Sequence, residues 1–403
     1  MLSRRNFIRR SSLASSSLWI PSFLRSTSLS YPHLPKSRED KVLVVIQLSG
    51  GNDGLNMIVP YRNDIYYRSR PEIGIKPHLV QRLDDEHGFN PAMAPLLDVF
   101  NANEVCIMNE VGYPNPDRSH FRSMDIWHTA SNSSQRRQTG WLGRYLDSEC
   151  LSCQDAYHAI EVGDNLSLAL HGKIRDGLAM RGPEKLKRAT DNSFLQKIGS
   201  AYRERSPNHL DFLYKTMIEV QQSAQYLTQK AKTHRSQFDY PNHAFGHGMK
   251  QIAELITADT ATKIYYISLP GFDTHINQKA RHHQLLNLYA ETVATFVDDL
   301  KSNDLFDNIL IMTFSEFGRR VEENASQGTD HGAANNLILI GDKLNTTGFY
   351  NRPANLSVLD DGDLRFQVDF RSVYADILDH WLQADANNLL GHQVDRLSPG
   401  LFL

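Results

Sequence analysis

The apolar positions of this chain fall mainly in short, continuous runs instead of alternating with polar ones. Lys41-Val42-Leu43-Val44-Val45-Ile46-Gln47-Leu48 is the clearest. A strand with one solvated face would alternate, so such a run suits a strand buried on both faces of a parallel sheet. Runs at 104–108, 156–162, 263–269, 309–314 and 336–340 read as further strands. Helical patterns cover 91–101, 208–232, 243–257, 278–300 and 371–382, the last capped by Asp369. Strands alternating with helices predict an α/β/α sandwich around a mainly parallel central sheet, with right-handed crossovers. The folded unit spans 41–403, with a helical insertion at about 200–258, whose helices between about 208 and 258 are a candidate lid over the sheet's rim.

Composition adds limits more than detail. The chain has 403 residues, 40% hydrophobic and 22% charged, as in an ordinary soluble globular protein. No apolar run approaches the roughly 20 residues that span a bilayer. The net charge is −3, and seven of the 43 Lys and Arg lie in the first forty residues against two acids. The remainder is acidic, which argues against nucleic acid as a partner.

The N-terminus reads as an address. Ser3-Arg4-Arg5-Asn6-Phe7-Ile8-Arg9 is a twin-arginine pattern followed by a Ser-rich, modestly apolar segment. Residues 1–33 are therefore expected to be an export signal read by the twin-arginine translocase, and 34–40 a linker. This points to a bacterial periplasmic or surface location, with cleavage and retention as an anchor both open. Cys106 lies in an apolar run and reads as core, while Cys150 and Cys153 form a lone Cys-x-x-Cys. Without a second pair a structural zinc site is not indicated, and a local disulfide stays open.

Parallel strands bring their carboxyl ends to one rim, where residues distant in sequence converge. Three strand ends here carry acids and histidines: Asp53 after the first; Asp273 and His275 in Gly271-Phe272-Asp273-Thr274-His275; and Glu316, with Asp330 and His331 on the returning loop. Mixed carboxylates and imidazoles suit a divalent metal, zinc before manganese, magnesium or calcium. Singly, each has a plainer reading. Asp53 could stabilise a Gly turn, Asp273 could cap the next helix, and His331 could be a loop histidine. A fourth stretch, Pro116-Asp117-Arg118-Ser119-His120-Phe121-Arg122, supplies a candidate nucleophile. Ser119 would head a helix, where free N–H groups favour an anion, with His120 beside it and Arg118 and Arg122 as oxyanion clamps. Ser119 reads equally well as a simple N-cap. A Ser/His/Asp triad is not indicated, because no Gly-x-Ser-x-Gly elbow is present.

Together these segments resemble the bacterial family known as domain of unknown function 1501. The resemblance rests on the Ser-Arg-Arg signal, Leu48-Ser49-Gly50-Gly51-Asn52-Asp53-Gly54, Arg118-Ser119-His120-Phe121, Gly271–His275, Ser315-Glu316-Phe317-Gly318-Arg319 and Gly328-Thr329-Asp330-His331-Gly332. That family is grouped with the alkaline phosphatase and sulfatase superfamily, which implies an alkaline phosphatase-like sandwich. It also implies a metal site at the carboxyl rim and a nucleophile heading a helix, for which Ser119 is the matching residue. Asp53 matches the acid after the first strand, Asp273 and His275 an Asp/His ligand pair, Glu316 a strand-end ligand, and Asp330-His331 a later ligand loop. Phe317 stands where a ligand histidine is expected, Asp273-Thr274-His275 is shorter than the usual Asp-x-x-x-His, and no Cys-x-Pro-x-Arg signature is present. The expected function is an exported metal-dependent hydrolase of small-molecule or polymer-borne phosphate or sulfate esters. The alternative is an exported, non-catalytic binding protein on the same fold.

Overall fold

The computed structural model describes residues 41–149, 156–191 and 209–402. The signal segment, the linker, Cys150 and Cys153 lie outside the described residues. The central sheet has nine strands, numbered here β1 (Val42–Ser49), β2 (Val105–Gly112), β3 (Ala159–Val162), β4 (Leu178–Met180), β5 (Ile264–Pro270), β6 (Ile309–Phe314), β7 (Asn335–Ile340), β8 (Gly348–Phe349) and β9 (Val368–Asp369). Their order is β8-β2-β7-β6-β1-β5-β3-β4, with β9 also pairing with β2. Every pairing is parallel except those of β7, which runs antiparallel to both β2 and β6. The carboxyl ends of β1, β2, β5 and β6 therefore share one rim, and β7 contributes its amino end, Asn335, to the same rim.

Alternation along β1 explains why its apolar run is continuous. Val42, Val44, Ile46 and Leu48 enter one core, while Leu43 and Val45 enter the other. The second core is closed by α1 (His120–Thr129), α2 (Trp141–Glu149) and the C-terminal segment from Phe370, with Trp127, Trp141 and Tyr374 at its centre. The first is closed by α3 (His209–Lys230), α4 (Ala244–Thr257) and α5 (Gln278–Ser302). Cys106 is buried. This is the expected three-layer α/β/α arrangement.

Three local differences from the sequence reading have physical causes. Residues 91–96 form a 3-10 helix, and α-helix begins only at Leu97, because Pro95 has no N–H to give. The helix that Asp369 caps, through a 2.9 Å bond from the Arg371 amide, is α-helical only to Asp376 and then widens into a π turn. The described part of the 200–258 insertion is not a lid. Leu227, Phe245, Met249 and Ile252 pack into the core beneath the sheet, so α3 and α4 cover a sheet face and leave the rim to the loops.

Candidate metal centre

The register sets up the rim. Ser49 pairs with Pro270, so the turn after β1 meets the turn after β5, and Gly271 and Phe272 both donate their N–H to the Ser49 carbonyl. Gly50 has φ +121°, and a Cβ there would come within 2.4 Å of the Asp273 nitrogen, so only glycine lets the two turns touch. Arg319, in the loop that follows β6, then staples them. Its guanidinium is fully buried and donates to the carbonyls of Gly51 (2.6 Å), Gly50 (2.5 Å), Phe272 (3.0 Å) and Thr329 (2.8 Å), and to Asp273 Oδ1 (2.8 Å). Its Nη1 also lies 3.5 Å from His275 Nε2, so every nitrogen of the guanidinium is engaged. The role of Arg319 is invisible in sequence because most of its partners are carbonyl oxygens.

Helix α1 is anchored over this rim by its first turns. Ser123 Oγ donates to the Glu316 carbonyl (2.5 Å) and shares a 2.8 Å bond with Tyr113. This brings His120, the first residue of α1, over the end of β6. Its Nδ1 lies 2.9 Å from Glu316 Oε1, which also accepts the Gly50 amide at 2.8 Å. Glu316 is wholly buried beneath it.

Three imidazoles are oriented in the same way. His120 Nδ1 faces Glu316, His331 Nδ1 faces the Arg118 carbonyl at 2.8 Å, and His275 Nδ1 faces Asp330 Oδ1 at 3.2 Å. Ionised carboxylates and carbonyls only accept, so each Nδ1 is placed to donate. A ring that is protonated on both nitrogens would also donate from Nε2 to Asp273, and a neutral ring would offer its Nε2 lone pair to a cation. All three Nε2 atoms converge on Asp273: from His275 at 3.0 Å, His331 at 3.2 Å and His120 at 3.5 Å. The Nε2 atoms of His275 and His331 are only 3.0 Å apart. With both rings neutral, two lone pairs would face each other beside a carboxylate, an arrangement that calls for a cation, either a proton or a metal, with Arg319 Nη1 3.5 Å from His275 Nε2. Imidazoles whose other nitrogen is held by an oxygen acceptor are the usual form of metal-ligating histidine.

Among the described residues, His120, Asp273 and His331 form a group whose ligand atoms lie within 4.8 Å of one another, and His275 adjoins it. With neutral rings, Asp273, Glu316 and Asp330 against Arg319 leave two net negative charges, which a dication would balance. Nitrogen-rich ligands with one carboxylate fit zinc better than magnesium or calcium. Electrostatics agree with the contacts. Burial works to raise the Asp273 carboxyl, but the hydrogen bond from Arg319, that from His331 when its Nε2 carries a proton, and the Arg319 charge hold it at about 2. Hydrogen bonding to Glu316 raises His120 above an ordinary imidazole, whereas burial lowers His331. The Asn324 amide, 3.2 Å away, lowers Asp330, and His275 adds to the effect.

The structure sorts the expected residues. Asp273, His275 and His331 come together as ligand candidates, and His120, expected as a catalytic neighbour of Ser119, joins them. Glu316 and Asp330 lie one layer out, each holding a histidine. Asp53 does not reach the cluster. It is 1% exposed, caps the short helix 54–57, binds Arg70 at 2.6 Å and accepts from Gln278. Asp273 caps no helix, because α5 begins after Asn277. The oxyanion clamps are also reassigned. Arg118 pairs with Asp363 at 2.5 Å, and Arg122 donates to the carbonyls of Asn132, Ser133 and Gln135. Ser119 occupies the N-cap position of α1, is exposed, and makes no capping bond with its hydroxyl. Phe317 offers no ligand. It is an apolar floor, its ring 4.9 Å from that of His120 and 4.6 Å from that of His331.

Fold and cluster together define a three-layer α/β protein with inward-facing imidazoles at the carboxyl rim of its sheet. Residues 103–352 match the family described as protein of unknown function (DUF1501), and the chain belongs to that family. The matched region contains every residue of the cluster. No curated protein matches the sequence. Among solved structures, the chain is similar to the C-terminal periplasmic domain of EptC from Escherichia coli, at 11% identity and TM-score 0.38, covering 90% of each chain. The lipoteichoic acid synthase LtaP from Listeria monocytogenes is similar at 8% identity and TM-score 0.36, covering 85% of this chain and 73% of that one. The PsFucS1 sulfatase from Pseudoalteromonas sp. is similar at 10% and 0.36, covering 90% and 70%. Likeness at this level carries no argument about activity. Among the described residues no helix is long and apolar enough to cross a membrane.

Proposed function

We propose that the chain is an exported, metal-dependent hydrolase of phosphate or sulfate esters, with its metal held by His120, Asp273 and His331 and adjoined by His275. The observation that carries this reading is the convergence of three Nε2 atoms on one carboxylate, each ring fixed at Nδ1. A metal bound there supplies Lewis acidity toward an ester oxygen. The chain's own residues do the rest. Glu316, Asp330 and the Arg118 carbonyl hold the rings, and Arg319 locks the two turns. Ser119 stands at the start of α1, where amide N–H groups face an incoming anion. Its Oγ bonds to phosphorus or sulfur as the ester bond breaks, the serine proton passes to the leaving alcohol, and water later cleaves the seryl ester. Ser119→Ala is expected to abolish turnover of aryl phosphates and sulfates with metal content unchanged; equal turnover would remove Ser119 from the mechanism.

One observation favours the second reading, an exported binding protein that uses the metal without catalysis. Arg118, Arg122 and Arg319 all spend their guanidinium groups on partners within the protein, so none of the three is left to clamp equatorial oxygens. A metal-loaded protein inert toward phosphomonoesters, phosphodiesters and sulfate esters would establish that reading over hydrolysis.

A further inference from the structure

Beside the cluster lies a cleft of about 430 Å³, within the size range of small-ligand sites. It shares Arg118 with the segment that orients His331, and its floor includes Ala333, two residues after that histidine. The far wall is a hairpin, Leu359–Asp360 against Asp363–Leu364. Its Asp361-Gly362 turn has positive φ at both residues, 51° and 85°, the pattern of a tight two-residue turn. Glu110 fastens the chain on either side of this wall, accepting from the Asn355 amide at 3.0 Å and from the Gln367 side chain.

The lining has a definite chemistry. Arg118 and Arg365 face Asp360 and Asp363, so the charged groups cancel. Asp363 is buried, and Arg118 lies against it at 2.5 Å with Arg320 at 3.6 Å, which holds the Arg118 side chain at the cleft. Asp360 and Arg365 are exposed, and Phe366, 37% exposed, presents an aromatic surface. A net anionic ligand would meet the two carboxylates, and a cationic one the two guanidinium groups. A neutral ring bearing several hydroxyls satisfies both, because each hydroxyl both donates and accepts, and its apolar C–H face can rest on Phe366.

We propose that this cleft binds a neutral sugar unit, placing a carbohydrate next to the metal cluster. As a subsite for the alcohol part of an ester it rests on the hydrolase reading; as a sugar-binding cleft it does not. The test is calorimetric and saturation-transfer NMR titration of the full chain with neutral oligosaccharides of glucose, galactose, mannose and N-acetylglucosamine, beside inorganic sulfate. At least one neutral oligosaccharide is expected to bind, with affinity reduced about tenfold or more in Phe366→Ala and reduced also in Asp360→Asn. Both substitutions are on exposed side chains, so folding is preserved. Binding that persists in Asp273→Ala, with hydrolysis absent from the metal-loaded wild-type chain, would uphold the cleft and reject the hydrolase. The proposal is overturned if no neutral oligosaccharide binds, if sulfate alone binds, or if Phe366→Ala leaves affinity unchanged.

Discussion

Asp53 and Asp273 are the same feature in sequence and opposites in structure. Each follows a buried parallel strand by a few residues, in a Gly-containing turn, on adjacent strands of one sheet, and each is bonded to an arginine. Asp53 is 1% exposed and surrounded by donors from Arg70, Gln278 and Asn56. The Asp273 side chain is 48% exposed, and Arg319 bonds to its Oδ1 while Oδ2 faces the Nε2 of His120. Burial opposes ionisation of Asp53, but the Arg70 charge, His282 and the hydrogen bonds keep its pKa below the ordinary value. One carboxylate is used up by the fold and the other is left for a cation. A strand-end acid is thus a ligand candidate only when other elements bring lone pairs to it.

The sharpest way to break this contrast is to remove each carboxylate. Asp53→Ala should destabilise the protein by about 3–5 kcal/mol, because Arg70 is left buried without its counter-charge. Its metal content should be retained in whatever folds. Asp273→Ala should lose its metal on elemental analysis. It also leaves Arg319 buried without a counter-charge, but the stability cost should be smaller than for Asp53→Ala because the Asp273 carboxylate is half exposed. Metal loss in the first variant with retention in the second would invert the assignment.

Smaller effects sharpen the boundary between ligands and the groups behind them. Glu316→Gln should weaken metal affinity by about 10–100-fold without eliminating it, since His120 loses its orienting carboxylate but keeps its ring. A competition titration with a chelator reads this directly, and an unchanged affinity would detach Glu316 from the site. The smallest effect concerns acid stability. A carboxyl with a depressed folded pKa contributes stability that is full above its unfolded value, about 3.9, and is lost as pH falls through its folded value. Asp53→Asn should therefore flatten the dependence of urea midpoint on pH below about 4. Asp273→Asn should flatten it too, over a window that reaches down to about 2, with the effect reduced because solvent partly screens its pair with Arg319.

The layers and most strands were legible because continuous apolar runs report two-sided burial directly. The antiparallel course of β7 was not, since Asn335–Ile340 looks the same in either direction. At the site, Asp273, His275 and His331 stood out as acids and imidazoles after strands. His120 was noticed only as a neighbour of Ser119, because its position depends on Ser123 and Tyr113 tying α1 to β6. The fate of Asp53 was decided by Arg70, which lies in a segment with no recognisable pattern of its own. The Asp361-Gly362 pair is a strong hairpin signal, but it lies between runs too short to read as strands.

The central claim is that the Nε2 atoms of His120 and His331 and the Asp273 carboxylate, adjoined by His275, form a metal site at the sheet's rim. The most direct measurement is anomalous diffraction at the zinc edge from crystals of the zinc-loaded protein. The account predicts one strong peak about 2.0–2.2 Å from His120 Nε2, His331 Nε2 and the Asp273 carboxylate. No peak at this cluster under full zinc loading, or a peak at Asp53 instead, would contradict it.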